Sequence, residues 1–273
     1  MLLHYRWLWN ARLKYSVYGR TTPSITLRQA ITYNIASGNR EGSTALSILD
    51  AYIVDTSLVI QDFLKALPLV AWVLFVVHGL AKWSYLWARS RWGEGVGVYF
   101  ARKVIHMAAG GLVALLVPFL FREPWVPLIL GLVLAVYVYI PHRTGRLMKW
   151  FQDPGNISEV YYCVSWGLAA FLAWPFDVRI AVFPLFLMSF GDGVTGIIRG
   201  IRQRRRVKSW DGTLGFLAVS LPVGVAVFGL AGGIAALAAA LAEKSGLVDD
   251  NISVPAVSLA ILLAAHQAGA LPA

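Results

Sequence analysis

The chain has 273 residues, 58% of them hydrophobic and only 14% charged, with a formal net charge of +10 and a mean hydropathy of +0.64. Such apolar content excludes an ordinary soluble domain and points to a polytopic helical membrane protein. The basic residues fall mainly between apolar runs, where they serve as topology signals and lipid-phosphate contacts, so the positive charge does not argue for nucleic acid.

Residues 1–20 interleave Tyr5, Trp7, Trp9 and Tyr15 with Arg6, Arg12, Lys14 and Arg20, a mixture suited to the headgroup zone and too charged for the apolar core of a signal peptide. From 21 to 62 the composition turns polar. The fairly apolar stretch 44–60 carries Asp50 and Asp55, each costing about 2.5–3.5 kcal/mol near a bilayer centre, so 1–62 reads as a peripheral or interfacial N-terminal segment. A transmembrane domain then occupies 63–273. Its spans are expected near 64–88, 104–121, 125–141, 160–175, 180–198, 213–231, 233–243 and 253–271, an all-α bundle of about seven or eight membrane helices. The single cysteine, Cys163, lies in one of these apolar runs, which excludes an intrachain disulfide and a cysteine metal site.

The loop charges segregate. Arg89, Arg91, Arg102 and Lys103 follow the first span, Arg143, Arg146 and Lys149 the third, Arg199 to Lys208 the fifth and Lys244 the seventh, whereas the intervening loops hold only Arg122 and Arg179. By the positive-inside rule the odd spans end in the cytoplasm. The loops 89–106, 142–159, 191–213 and 243–253 then share the side where nucleotides are available. This parse leaves the basic N-terminus outside unless 44–60 crosses or re-enters.

Four groups of residues carry possible chemistry. Arg102 and His106 open the second span at i, i+4 on one helical face with Lys103 adjacent; snorkelling cations and a phosphate contact are both open readings. Asp192, set between Gly191 and Gly193 roughly 18 Å along the fifth span, is functional by default unless paired, as a Mg²⁺ ligand or as a base facing a lipid hydroxyl. Gly191, Gly193, Gly196 and Gly200 admit either a sharp turn and phosphate approach or close helix packing. The Gly191-x-Gly193-x-x-Gly196 pattern is not a dinucleotide fingerprint, because it lies in a membrane span without a strand-turn-helix context.

Lys208 and Ser209, with Gly212 and Thr213 at the next helix start, would combine a cation, hydroxyls and helix N-terminal amides around a triphosphate; N-capping by Ser209 or Thr213 is the plainer reading. Most of Arg199, Arg202, Arg204, Arg205 and Arg206 read as anchors on anionic lipid. In the loop before the last span, Asp249, Asp250 and Asn251 suit a hard cation or a ribose, or else a helix cap by Asn251 or Ser253 ahead of Pro255. His142, Arg143, Arg146, Asp153 and Glu159 point to nothing individually.

Taken in order, Arg102-Lys103-x-x-His106, Gly191-Asp192 with Gly196 and Gly200, Lys208-Ser209-x-x-Gly212-Thr213, and Glu243 with Asp249-Asp250-Asn251 and Pro255 resemble the polyprenol kinase family over roughly 100–265. That family comprises dolichol kinases, phytol kinases and CTP-dependent diacylglycerol kinases. Thr195 departs from the small residue expected there, and Asp211 from a Trp-Glu pair. The resemblance implies an integral-membrane, Mg²⁺-dependent transfer of the CTP γ-phosphate to a long-chain lipid alcohol. It makes Asp192 the catalytic or metal-binding acid, with Asp250 a second metal ligand. Lys208, Ser209, Gly212 and Thr213 become nucleotide contacts, and Arg102, Lys103, His106 and Asp249 to Asn251 line the same pocket. A phytol or geranylgeraniol kinase, a CDP-lipid synthase and a non-enzymatic lipid-binding or transport protein are the competing expectations.

Overall fold

A computed structural model of the chain describes residues 52–204 and 207–272. Residues 1–51 of the interfacial segment read from 1–62, and Arg205 and Arg206 of the basic loop, lie outside the described residues. The compact unit described here begins at Val54.

Among the described residues the structure is helical, with one isolated β-bridge between Asp153 and Asn156. The runs are α1 (Thr56–Trp92), α2 (Glu94–Leu120), α3 (Trp125–Thr144), α4 (Ser158–Ala173), α5 (Val178–Gln203), α6 (Trp210–Ser245) and α7 (Asp250–Gln267). Five of them, α1, α2, α3, α5 and α6, are long and apolar enough to cross a membrane, against the seven or eight expected. The expected fourth and last spans correspond to α4 and α7, which fall short of that measure of length and hydropathy. Phe119 at 82% exposure and Leu230 at 81% present large apolar side chains outward, as lipid-facing helices do.

α1 begins at Thr56, ahead of residue 62. Asp55 caps the helix, accepting from the Ser57 and Leu58 amides at 3.0 and 3.3 Å, and Asp62 is an interior helical residue. Its buried carboxylate takes Lys65 at 3.1 Å and the amides of Arg122 and Glu123 at 2.7 and 3.0 Å. A charge that reads as a barrier to burial is thus spent closing the α2–α3 connection.

α6 is two arms. A straight helix of 36 residues would be roughly 54 Å long, yet Lys208, just before it, bonds Glu243 near its far end at 2.7 Å. The chain reverses at Gly229, whose φ of 58° and ψ of −137° are open to glycine but strained for other residues. Gly224 and Gly232 face one another across the fold-back, where any Cβ would strike the opposite backbone. The two expected segments 213–231 and 233–243 are these arms.

α5 is the centre of the bundle. Its most apolar window is 72% buried, against 17% for α1. Residues 180–188 are apolar on every face, which suits a helix with protein on all sides. Ile180, Leu185, Leu187 and Met188 are fully enclosed.

Candidate active site

Asp192 follows a π-helical turn, Leu187–Gly191, and α2 carries a matching one, Ile105–Gly111, that contains His106. A π turn inserts an extra residue and re-aims the side chains beyond it, a device that recurs at functional sites. Tyr162 of α4 ties the two together. Its hydroxyl meets Ser189 Oγ at 2.7 Å and the His106 carbonyl at 3.3 Å, and its ring stacks on the imidazole with centroids 4.2 Å apart.

The Asp192 carboxylate is buried, with Oδ2 at 2.6 Å from Lys103 Nζ and 3.3 Å from His106 Nδ1, the second contact lacking hydrogen-bond geometry. Arg102 and His106 share a face of α2, as their i, i+4 spacing leads one to expect, yet they meet different partners. Lys103 and His106, three residues apart, converge on Asp192, while Arg102 turns to Glu159 of α4 at 2.6 Å. Glu159 also receives His142 at 2.7 Å and Gln152 at 3.1 Å. Lys103 reaches Asp192 across Gly196, where any side chain would collide with the lysine stem.

Two further acids gather there. Glu243 ends α6 and Asp250 opens α7, and one oxygen from each of Asp192, Glu243 and Asp250 lies within 4.8 Å of the others. Arg199 forks onto Glu243 at 2.6 and 3.0 Å. Lys208 bridges Glu243 at 2.7 Å and Asp250 at 2.5 Å. Three carboxylates thus face Lys103, Arg199 and Lys208, and the cluster balances its own charge. At the outer end of α7, burial and the Asp192 charge push the Asp250 carboxyl up to about 6 in spite of Lys208.

Buried polar atoms nearly always find partners. Seven side-chain atoms among the described residues do not, and five of them belong to residues that contact the cluster or lie within three positions of one that does: His106 Nδ1, Arg199 Nε, Ser209 Oγ, Asn251 Oδ1 and Ser253 Oγ. Unsatisfied donors and acceptors beside grouped acids are what a ligand-binding centre requires. The hard oxygen donors fit Mg²⁺, which takes few carboxylates and completes its shell with phosphate oxygens.

The remaining candidates divide. Ser209 precedes α6, and its carbonyl accepts from Arg199 Nη2 at 3.1 Å and Thr213 Oγ1 at 3.3 Å. Gly212 makes room for the Arg199 guanidinium. Asp249 is the N-cap of α7, accepting from the Asn251 amide at 3.0 Å and from Ser158 Oγ at 2.6 Å, and Asn251 Nδ2 donates to Ser158 O and Oγ, both at 2.9 Å. These two clamp α7 to α4, so capping does occur, by Asp249 rather than by Asn251 or Ser253. Of the three, Asp250 alone joins the acid cluster. Gly191 and Gly193 form no sharp turn, since their backbone is helical; their open sides are filled by Phe216 and Met107.

Sequence reasoning missed Glu159 and Tyr162, and reached Glu243 only through the family resemblance. The argument that singled out Asp192, an acid inside an apolar run, applied equally to Glu159 at the edge of the expected span 160–175.

Two spaces flank the cluster. One is an apolar cavity of about 150 Å³ walled by α1, α2, α3 and α4, with Arg102, His106 and Glu159 at one end. The other is a polar cleft of about 780 Å³ bordered by Trp92, Tyr99, Arg102, Lys149, Gln152 and Arg204. Lys103 Nζ lies 5.2 Å over the Tyr99 ring, and Arg102 borders both spaces.

A phytol kinase of Synechocystis is 29% identical over 176 residues, covering 56% of this chain and 74% of the relative. An uncharacterized protein of Methanocaldococcus jannaschii is 26% identical over 170 residues, covering 56% of this chain and 87% of the relative. No family model matches the chain, and no solved structure matches it.

Proposed function

We propose that the chain is an integral-membrane, Mg²⁺-dependent kinase that transfers the γ-phosphate of CTP to the hydroxyl of a long-chain isoprenoid alcohol of the polyprenol, dolichol or phytol type, with the motif-bearing face in the cytoplasm. The observation that carries this reading is the cluster of Asp192, Glu243 and Asp250, interleaved with Lys103, Arg199 and Lys208 and set between an apolar cavity and a polar cleft. The likeness to a phytol kinase supports a membrane lipid kinase of this kind.

Phosphoryl transfer asks a protein chiefly for alignment and charge neutralisation. Asp192, Glu243 and Asp250 would hold Mg²⁺, which when bound neutralises phosphate charge. Lys103 and Lys208, which lie on those carboxylates, would turn to the phosphate oxygens of a bound nucleotide. Arg199 is fixed by Glu243 and holds the Ser209 carbonyl at the head of α6. The alcohol arrives from the apolar side, where His106 borders both the cavity and Asp192. Burial of the reacting groups keeps out water, the competing acceptor.

The test is incubation of purified protein with γ-labelled CTP or ATP and a panel of farnesol, geranylgeraniol, phytol, dolichol and diacylglycerol. Label on an isoprenoid alcohol with release of CDP supports the reading. Pyrophosphate release replaces it with a CDP-lipid synthase, and absence of nucleotide consumption with every alcohol leaves a lipid-binding protein.

A further inference from the structure

The apolar cavity between α1, α2, α3 and α4 has chemistry of its own. Val73, Ala109, Val113, Leu130, Cys163 and Trp166 line it, and its charged and imidazole side chains, Arg102, His106 and Glu159, gather at one end. Apolar cavities do not hold water, because a buried water needs two or more polar partners. Hydrocarbon is the occupant that recovers the lost packing.

We infer that this cavity holds a single hydrocarbon chain of the acceptor alcohol, with the hydroxyl end at Arg102 and His106. The inference rests on the kinase reading for the identity of the head group and on the cavity itself for the chain. His106 borders the cavity and lies 3.3 Å from Asp192, so a head group at that end is at the acid cluster. The head group is neutral: Arg102 is already paired with Glu159 at 2.6 Å, which leaves that cation satisfied and sets a carboxylate against any phosphate. Arg102 and Val113 lie eleven residues apart on α2, roughly 16 Å, or about half of a ~30 Å hydrocarbon core. The chain therefore stays within one leaflet, and a longer tail has to leave sideways. Leu74 of α1 and Val133 of α3 both border the cavity and are 37% and 56% exposed, so a mouth between these helices opens where lipid would be. One narrow cavity accommodates one chain, which sets a single-chain alcohol apart from diacylglycerol.

Cys163 makes the inference testable, because it is the chain's only cysteine and stands in the cavity wall. The protein in phosphatidylcholine nanodiscs is treated with methyl methanethiosulfonate, and labelling is followed by intact mass. Geranylgeraniol at ten times its Kd should slow labelling about tenfold, while CTP alone and diacylglycerol leave the rate unchanged. Equal protection by added phospholipid, or none by any isoprenoid alcohol, overturns the assignment. Equilibrium binding of tritiated geranylgeraniol to Ala109→Phe is the second arm, and to Ala109→Leu where the larger side chain prevents folding. Filling the cavity should weaken binding about tenfold, and unchanged affinity in a monodisperse variant overturns the assignment even where the thiol reacts too slowly to follow. Protection without phosphoryl transfer keeps the cavity and removes the kinase. Transfer with neither protection nor weakened binding does the reverse.

Discussion

Asp62 and Asp192 are both buried carboxylates; the first meets the connection after α2 and the second meets α2 near its middle. Asp62 has Lys65 and two loop amides, which close the α2–α3 connection and leave it no further partner to seek. Asp192 has Lys103 beside two more acids, and neighbouring His106 Nδ1 and Arg199 Nε have no hydrogen-bond partner. Equal burial therefore means different things. A buried charge met by backbone amides is architecture; one met by mobile cations and other acids has counterions that a ligand can replace.

The sharpest way to break this comparison is to make the same change at both positions. Asp192→Asn should lower transfer by a factor of about 10³ or more in protein that remains monodisperse, measured as labelled product per folded molecule. Normal turnover would remove Asp192 from the chemistry. Next in size is Glu243→Gln, which leaves Arg199 and Lys208 facing a neutral amide. Breaking a buried pair of this kind costs about 3–5 kcal/mol, so the thermal midpoint should fall further than in Asp192→Asn, where one cation, Lys103, rather than two loses a counter-charge. Asp62→Asn should cost about 1–3 kcal/mol through its weakened loop contacts, with turnover per folded molecule unchanged. A catalytic defect there would erase the distinction between the two acids.

A smaller effect separates the cluster by pH. Burial raises the Asp250 carboxyl to about 6, so between the ordinary carboxylate range and that value the folded chain holds a proton that the unfolded chain has lost. This group therefore lowers stability as pH rises through that window, and its full negative charge is present only above it. The increase in thermal midpoint on adding Mg²⁺ should be largest near neutral pH and fade below about pH 6. Asp250→Asn should flatten both trends; an unchanged Mg²⁺ response would exclude Asp250 from the cation site.

The limits of the sequence are visible in the same residues. Helix content and apolar runs were legible because lipid-facing helices need long apolar stretches, and Asp192 was legible because acids are rare inside them. The reversal at Gly229 showed only as a gap between two expected segments. The π turns left no signal at all, nor did the meeting of Lys103, rather than Arg102, with His106 at Asp192. The pairing of Glu243 with Lys208 depends on α6 folding back, a long-range fact that local pattern does not contain. Asp249 and Asn251 looked like ligands beside Asp250 because adjacency in sequence hides that a helix start points successive side chains in different directions.

The smallest expected effect tests the rule behind the comparison. Arg199 and Arg202 are one turn apart on α5 and each meets an acid, Glu243 at 2.6 Å and Asp211 at 3.1 Å. The first pair is 2% and 1% exposed, the second 64% and 40%. Water and salt screen the outer pair, and holding two long side chains together offsets most of its attraction, so such pairs contribute about 0–1 kcal/mol. Arg202→Ala should therefore leave thermal midpoint and turnover within error of the parent, at low and high salt alike. If it instead weakened CTP binding in a salt-dependent way, the basic loop would belong to the nucleotide site, and the boundary drawn at Arg199 would have to move outward along α5.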